Sequence, residues 1–221
     1  MNVSSLNTRP KAILFDWDNT LIDSWPVIHD ALSATFKAFG LDPWTMDQTR
    51  QRVRKSLRDS FSGLFGERWE EAGEFFYERF AAIHLENLHP LPGAGPMLAE
   101  LKGQGVYLGV ISNKKGDFLR LEASRLGWSA YFGGLVGATD AKRDKPATEP
   151  VDLALHGSGV ARGGDVWIAG DADIDMECAL NAGCIPILVR ENPPGDDEFN
   201  AHKPYRHFKG LQELTKYIRE L

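Results

Sequence analysis

The stretch AILFDWDNTLID, residues 12–23, decides how the rest of the sequence is interpreted. An apolar run at 12–15 has the length and composition of a strand buried on both faces. It stops at Asp16, and a second carboxylate, Asp18, follows two positions later. Two acids this close repel each other unless a cation neutralises them. We therefore expect the end of this strand to lie at a site that binds a hard cation such as magnesium.

The composition excludes several classes of function. Of the 221 residues, 43% are hydrophobic and 25% are charged, which is ordinary for a soluble globular protein. The net charge of -6 argues against nucleic acid or an anionic membrane as the main partner, but not against a small anionic substrate. The amino terminus lacks the apolar core of a signal peptide, and no apolar run approaches membrane-spanning length, so a cytoplasmic location is expected.

The cysteines and histidines predict no further metal site. Cys178 and Cys184 form no Cys-x-x-Cys pair, and we interpret both as buried free thiols in a reducing compartment. No two histidines have the i, i+4 spacing of a zinc site on a helix.

Short apolar runs alternate with helical patterns along most of the chain, which predicts an α/β fold with a doubly wound, Rossmann-like parallel sheet. Asp173 is placed to cap one of the helices, and Leu119 and Leu121 are among the apolar residues of another. The predicted strands are 12–15, 106–111, 135–136, 166–169 and 185–189, and the predicted core helices are 96–104, 117–126, 173–182 and 208–221.

Residues 24–89 break this rhythm, because they contain no strand-like run and three helical stretches. The second of these stretches includes Val53, Leu57 and Phe61 at helical spacing. We expect an all-α cap at 23–89, inserted into a core made of 1–22 and 90–221. Since the insertion follows the two acids directly, the cap is expected to close over the substrate and reopen.

Polar groups follow the other predicted strands as well. Ser112 and Asn113, and then two lysines, come after the second strand, Lys145 follows the third, and a run of acids beginning at Asp171 follows the fourth. Ligands bind at the carboxyl ends of the strands in such sheets, so these groups are expected on one edge. Near a cation, Asp16 can attack phosphorus, and a second acid can donate a proton to the leaving oxygen and later accept one from water.

Four stretches in this order resemble the motifs of the haloacid dehalogenase superfamily. They are Asp16-x-Asp18-Asn19-Thr20, Ser112-Asn113, Lys145-Pro146 and Gly170-Asp171-x-x-x-Asp175, and the helical insertion resembles the cap of the phosphoglycolate phosphatase-like branch.

The resemblance implies a magnesium-dependent phosphatase that acts on a small phosphorylated metabolite. We expect the chain to be a monomer or a weak homodimer. Asp16 would be the nucleophile and Asp18 the general acid/base. Magnesium would bind Asp16, the backbone carbonyl of Asp18, and Asp171, with Asp175 supporting a metal-bound water. Thr20, Ser112, Asn113 and Lys145 would hold the phosphoryl group.

Asp18 favours a phosphatase over the dehalogenases of the same branch, because a departing halide needs no proton. Two positions depart from the family pattern: Trp17 stands where a smaller aliphatic residue or Phe is more usual, and Asn19 replaces the commoner Gly. In the cap, Arg54 and Lys55 occupy a stretch where phosphoglycolate phosphatases carry a Gly-rich loop. We interpret the two residues either as a solvated helix face or as groups that bind a second anion on the substrate.

Three alternatives remain. A phosphosugar mutase of the β-phosphoglucomutase type would return the phosphoryl group to a sugar and would need a bisphosphate activator. A phosphonate hydrolase would need a cap lysine that forms a Schiff base, for which Lys37 and Lys55 are the candidates. A non-catalytic binding protein with this fold would have lost an acid from the set, and no acid is missing.

Overall fold

The computed structural model describes residues 8–53, 55–195 and 197–221. The chain divides into two compact units, one formed by Met1–Ile22 with Pro90–Leu221 and the other by Asp23–His89. None of the helices in the described part of the chain is long and apolar enough to cross a membrane.

A six-stranded parallel sheet forms the first unit, and it confirms the predicted fold class. Its strands are β1 (Ala12–Phe15), β4 (Tyr107–Lys115), β5 (Gly134–Ala138), β6 (Val166–Gly170), β7 (Ile185–Val189) and β8 (Arg206–Phe208). Their order across the sheet is β5-β4-β1-β6-β7-β8. The first strand, β1, lies between β4 and β6. The chain adds β4 and β5 on one side of β1 and later adds β6, β7 and β8 on the other side. A ligand site is expected at the carboxyl end of such a strand.

Continuous burial explains why the strands carry apolar runs without alternation. All four residues of β1 and all five of β6 and β7 are buried, because helices cover both faces of a parallel sheet. The helices of this unit are α5 (Ala94–Gly103), α6 (Gly116–Arg125), α7 (Glu149–Ala154), α8 (Asp173–Asn181) and α9 (Leu211–Arg219).

The second unit is helical and has its own core. Leu32, Phe36, Phe61 and Ala72 are buried together, and the ring centroids of Phe61 and Phe65 lie 4.9 Å apart. Two very short strands, β2 (Ile22–Asp23) and β3 (His89–Pro90), pair at the two ends of the segment. The helices are α1 (Trp25–Ala38), α2 (Met46–Arg52), α3 (Leu57–Phe65) and α4 (Trp69–Ile83).

The predicted second helical stretch is wrong as a single helix. The backbone is extended at Val53, where α2 ends, and again at Ser56, where α3 begins. The Ser56 hydroxyl donates to Asp59 Oδ2 at 3.1 Å, and serine is a preferred residue at a helix start. Of the three spaced residues, only Leu57 and Phe61 therefore share a helix, and Val53 packs against the same core from the extended segment after α2.

One further detail of the sequence prediction is wrong. Ala172, not Asp173, occupies the N-cap position of α8, and Asp173 is the first helical residue. In α6 the side chain of Leu121 is exposed, whereas Glu122 is 1% exposed and lies in the protein interior. An apolar residue on the outside and a carboxylate on the inside invert the usual pattern, and the partners of Glu122 explain why.

Candidate active site

The carboxyl ends of β1 and β6 bring three acids together. Asp16 follows the last residue of β1, and its N–H donates to the Ala169 carbonyl of β6 at 2.8 Å. Asp171 follows β6 directly, and Asp175 lies in the first turn of α8. Each of Asp16, Asp171 and Asp175 offers a carboxylate oxygen, and these oxygens all lie within 4.8 Å of one another. Asp16 and Asp175 are buried, and Asp171 is partly buried.

A buried lysine bridges two of these acids. Lys145 Nζ donates to Asp16 Oδ1 at 2.7 Å and to Asp175 Oδ1 at 2.6 Å. The lysine lies in the loop between β5 and α7, and Asn113 fixes its backbone. Lys145 N–H donates to Asn113 Oδ1 at 3.0 Å, and Asn113 Nδ2 donates to the Lys145 carbonyl at 3.2 Å. The side chain of Asn113 is therefore engaged with the protein, and its predicted phosphate contact is left to its backbone N–H.

Burial and neighbouring charges together set the pKa values in this cluster. Desolvation, together with the charges of the neighbouring acids Asp175 and Asp18, raises the pKa of Asp16 to about 7 against the opposing attraction of Lys145. Burial acts to lower the pKa of Lys145, but the carboxylates of Asp16 and Asp175 outweigh it and raise that pKa above its ordinary range. The lysine is thus a fixed positive charge.

The residues present fit a divalent cation. Three acids against one lysine leave an excess of negative charge, and oxygen-only donors are those that magnesium prefers. Asp16 and Asp171 are the acids best placed to hold the ion. Asp175 already uses Oδ1 for Lys145 and Oδ2 for the Ala172 N–H at 3.1 Å, which suits the supporting role predicted for it. The carbonyl of Asp18 remains a predicted ligand.

Two buried hydroxyls stand near these strand ends. Thr20 is 1% exposed, and its Oγ has no hydrogen-bond partner in the described part of the chain. A buried polar atom without a partner needs an explanation, and a phosphoryl oxygen bound beside Thr20 would provide one. Ser112, in β4, is 5% exposed, and its Oγ accepts from the Lys114 N–H at 3.3 Å, so its own proton remains available. Asn19 has a φ of 64°, the left-handed turn that lets the chain bend after Asp18.

Asp18 contacts a second buried lysine, to which the sequence analysis gave no role. Lys114 Nζ lies 2.7 Å from Asp18 Oδ1 and donates to both oxygens of Glu122, at 2.8 and 2.7 Å. The indole N–H of Trp17 donates to Glu122 Oε2 at 2.6 Å. Burial acts to lower the pKa of Lys114, and Asp18 and Glu122 outweigh it, so that pKa is raised. The sequence did carry one signal for this contact. Glu122 follows Leu119 by three residues, which places both side chains on the same face of a helix.

The two predicted cap residues are not equally described. Arg54 lies outside the described residues. Lys55 is exposed in the bend between α2 and α3.

Comparisons with known proteins agree with this site. The family model of haloacid dehalogenase-like hydrolases matches residues 13–189. A phosphoglycolate phosphatase of Aquifex aeolicus is 32% identical over 183 residues, which cover 81% of this chain and 84% of that protein. The pyrophosphatase PpaX of Bacillus velezensis is 28% identical over 206 residues, 93% of this chain and 95% of that one.

The fold is also shared with solved structures. A protein from Bacteroides fragilis assigned as a haloacid dehalogenase-like hydrolase superposes with a TM-score of 0.84 and 26% identity. The match covers 93% of this chain and 100% of that one. Family model, relatives and fold agree with the cluster of acids at the ends of β1 and β6, and this chain belongs to the haloacid dehalogenase-like hydrolases.

Proposed function

We propose that this chain is a magnesium-dependent phosphatase that hydrolyses a small phosphomonoester. One observation carries the proposal: Asp16 is buried between Lys145 and two further acids, with Asp18 two residues along the chain. A carboxylate in that position is shielded from bulk water, directed by an ammonium, and placed where a cation would complete the charge balance. Relatives named as phosphatases support the same class of reaction.

In the proposed reaction, an Asp16 oxygen attacks phosphorus and the bond to the ester oxygen breaks. Asp18 gives its proton to the departing alkoxide, so an alcohol leaves and Asp16 carries the phosphoryl group. Water then attacks the same phosphorus, loses its proton to Asp18, and releases inorganic phosphate from Asp16. Only the two steps in sequence return both carboxyl groups to their starting states: Asp16 free of phosphate and Asp18 protonated.

The remaining residues neutralise charge. Lys145, the Thr20 and Ser112 hydroxyls and the Asn113 backbone N–H are proposed to hold the phosphoryl oxygens. A bound divalent ion, held by Asp16, Asp171 and the Asp18 carbonyl, would supply positive charge beside the nucleophile and the phosphoryl group. That charge favours the carboxylate form of Asp16, which burial alone disfavours.

The names of the relatives narrow the substrate class. Phosphoglycolate and pyrophosphate both carry a second anionic group next to the phosphoryl group that is transferred. We propose that residues 23–89 act as the cap and that Arg54 and Lys55 bind this second anion. Reversing both charges to Glu is expected to raise KM for such a substrate by about tenfold and leave KM for p-nitrophenyl phosphate unchanged. If the double charge reversal leaves KM unchanged for the substrate with a second anion, this part of the proposal is wrong.

The experiment for the main proposal compares three proteins with magnesium present. Wild type, Asp16→Asn and a surface control, Asp165→Asn, are assayed with p-nitrophenyl phosphate and a panel of phosphorylated metabolites. Asp165 is exposed and pairs only with exposed Lys11 in the described structure, at 2.7 Å, so its variant should retain full activity. Loss of the nucleophile should reduce kcat by about four orders of magnitude or more.

A second readout tests the covalent step. Acid-quenched wild type should gain the mass of one phosphoryl group during turnover, located on the peptide that contains Asp16. The assay without a bisphosphate activator separates hydrolysis from phosphosugar transfer. If Asp16→Asn hydrolyses the panel as well as wild type does, the proposed function is wrong.

A further inference from the structure

Asp18 and its neighbour Trp17 are tied to the same distant pair of side chains. Trp17 donates to Glu122, Glu122 accepts twice from Lys114, and Lys114 contacts Asp18 Oδ1. Since Trp17 and Asp18 are consecutive, these contacts close a ring through the backbone. The ring joins the end of β1 to β4 and α6. Trp17 and Glu122, which are hydrogen-bonded to each other, are 105 residues apart in the sequence.

Every side chain of the ring is buried except that of Asp18, which is partly exposed. The side chains of Lys114 and Glu122 are 4% and 1% exposed, and that of Asp18 is 18% exposed. Asp18 Oδ1, which faces the lysine, is inaccessible to solvent, so the exposed part of the Asp18 side chain lies on its other atoms. Trp17 is fully buried, with its ring edge against Trp128 at a centroid distance of 5.9 Å.

We propose that Lys114 is a positioning residue for Asp18, and that Glu122 and Trp17 hold Lys114 in place. An ammonium donates hydrogen bonds and cannot accept them. A proton on Oδ1 of Asp18, which lies 2.7 Å from the ammonium, would therefore face a second positive group, so the proton that Asp18 transfers lies on Oδ2. Fixing the carboxyl rotation in this way directs the proton at the leaving oxygen.

Glu122 fixes the position of the Lys114 ammonium beside Asp18. Glu122 contacts the same ammonium through both oxygens and offsets its charge. Trp17 supplies the N–H that keeps Glu122 in position. The departure from the family pattern at position 17 thus has a structural role.

The inference rests on the proposed function, and its test uses leaving groups that differ in their need for a proton. The p-nitrophenolate ion departs readily without one, whereas an alkoxide does not. Wild type is expected to have similar kcat/KM values for p-nitrophenyl phosphate and for an alkyl phosphate. In Lys114→Met, kcat/KM for the alkyl phosphate should fall by about a hundredfold, the lower end for general acid catalysis, and by less than about fivefold for p-nitrophenyl phosphate.

A second variant covers the risk that Lys114→Met fails to fold, since it leaves Glu122 buried without its cation. The double variant Lys114→Met/Glu122→Gln removes both charges and keeps an acceptor for Trp17, and it should show the same selective loss. The matched control is Lys115→Met, which changes the next residue of β4. Lys115 lies over the ring of Phe118 at 6.0 Å, and its variant should behave as wild type with both substrates.

The outcomes separate this inference from the proposed function. If wild type hydrolyses neither phosphate ester, the proposed function fails. If wild type hydrolyses both and the double variant loses activity equally on both, Lys114 supports the fold but does not direct the proton, and the inference is overturned.

Discussion

Two buried lysines at the carboxyl edge of the sheet have similar surroundings and different consequences. Lys145 bridges Asp16 and Asp175, and Lys114 bridges Asp18 and Glu122, with every nitrogen–oxygen distance between 2.6 and 2.7 Å for the closest pairs. Both lysines are at least nine-tenths buried, and the surrounding carboxylates raise both pKa values.

The difference lies in the number and origin of the acids. Around Lys145, Asp171 adds a third acid, and the excess of negative charge leaves room for a divalent cation. Around Lys114, the second carboxylate comes from helix α6 and is satisfied by Lys114 and an indole N–H. The first cluster is therefore suited to reversible binding of charge, and the second to holding a geometry. The same ion-pair chemistry supports either role, and the surplus of charge decides between them.

Removing the first lysine should have the largest effect. In Lys145→Met, two buried acids lose their cation. We expect kcat to fall by about a thousandfold, because the positive charge that Lys145 places beside the phosphoryl group is lost. The free energy of unfolding without metal should fall by about 3–5 kcal/mol, as expected when one partner of a buried ion pair is removed. Kinetics and chemical denaturation measure the two effects.

The control for this change is Lys142→Met, in the same loop, where the side chain is exposed. It should alter neither quantity. Full activity in Lys145→Met would show that the two lysine clusters do not differ in the way argued above.

The next largest effect is expected in the pH dependence of magnesium binding at the cluster around Lys145. Because burial raises the pKa of Asp16 to about 7 in the metal-free protein, this group holds a proton below that pH and is a carboxylate above it. An ion must displace the proton, so the apparent affinity should fall by about tenfold for each pH unit below 7 and be nearly constant above it. Magnesium titrations of thermal stability between about pH 5 and pH 8 measure this slope.

Asp16→Asn removes the titrating group and serves as the comparison. Its residual magnesium response should be weaker and lack this slope. A wild-type affinity that is flat across the same pH range would contradict the assignment of Asp16 as both buried and metal-binding.

The smallest effect is expected from Trp17→Phe, which removes the indole N–H and keeps a ring. Glu122 loses one hydrogen bond to a charged group, and the smaller ring leaves a gap beside Trp128. Together these should lower the free energy of unfolding by about 2 kcal/mol and Tm by about 4–8 °C. Activity on an alkyl phosphate should fall a fewfold, more than on p-nitrophenyl phosphate. Calorimetry and the leaving-group assay give both values, and an unchanged Tm would show that this contact contributes nothing.

Most of the sheet could be predicted because its signals are local. An apolar run between helical patterns identifies a buried strand wherever it occurs, and the runs at 12–15 and 185–189 coincide with β1 and β7. The strand β8 was missed, since its three residues include only one buried side chain and carry no apolar run. The break between α2 and α3 was missed because extended backbone at Val53 leaves the spacing of apolar residues intact.

The sequence by itself determined the fold class, the family and the order of acids along the strand ends, because these depend on neighbours within a few positions. Only the tertiary structure decided which charges meet. Lys145 and Asp16 are 129 residues apart, and nothing in either segment names the other as its partner. Glu122 reads as a solvated residue of α6 until the fold turns it inward toward Lys114. The partners of a buried ion pair are brought together by the packing of distant segments, so the local pattern of either segment does not identify its partner.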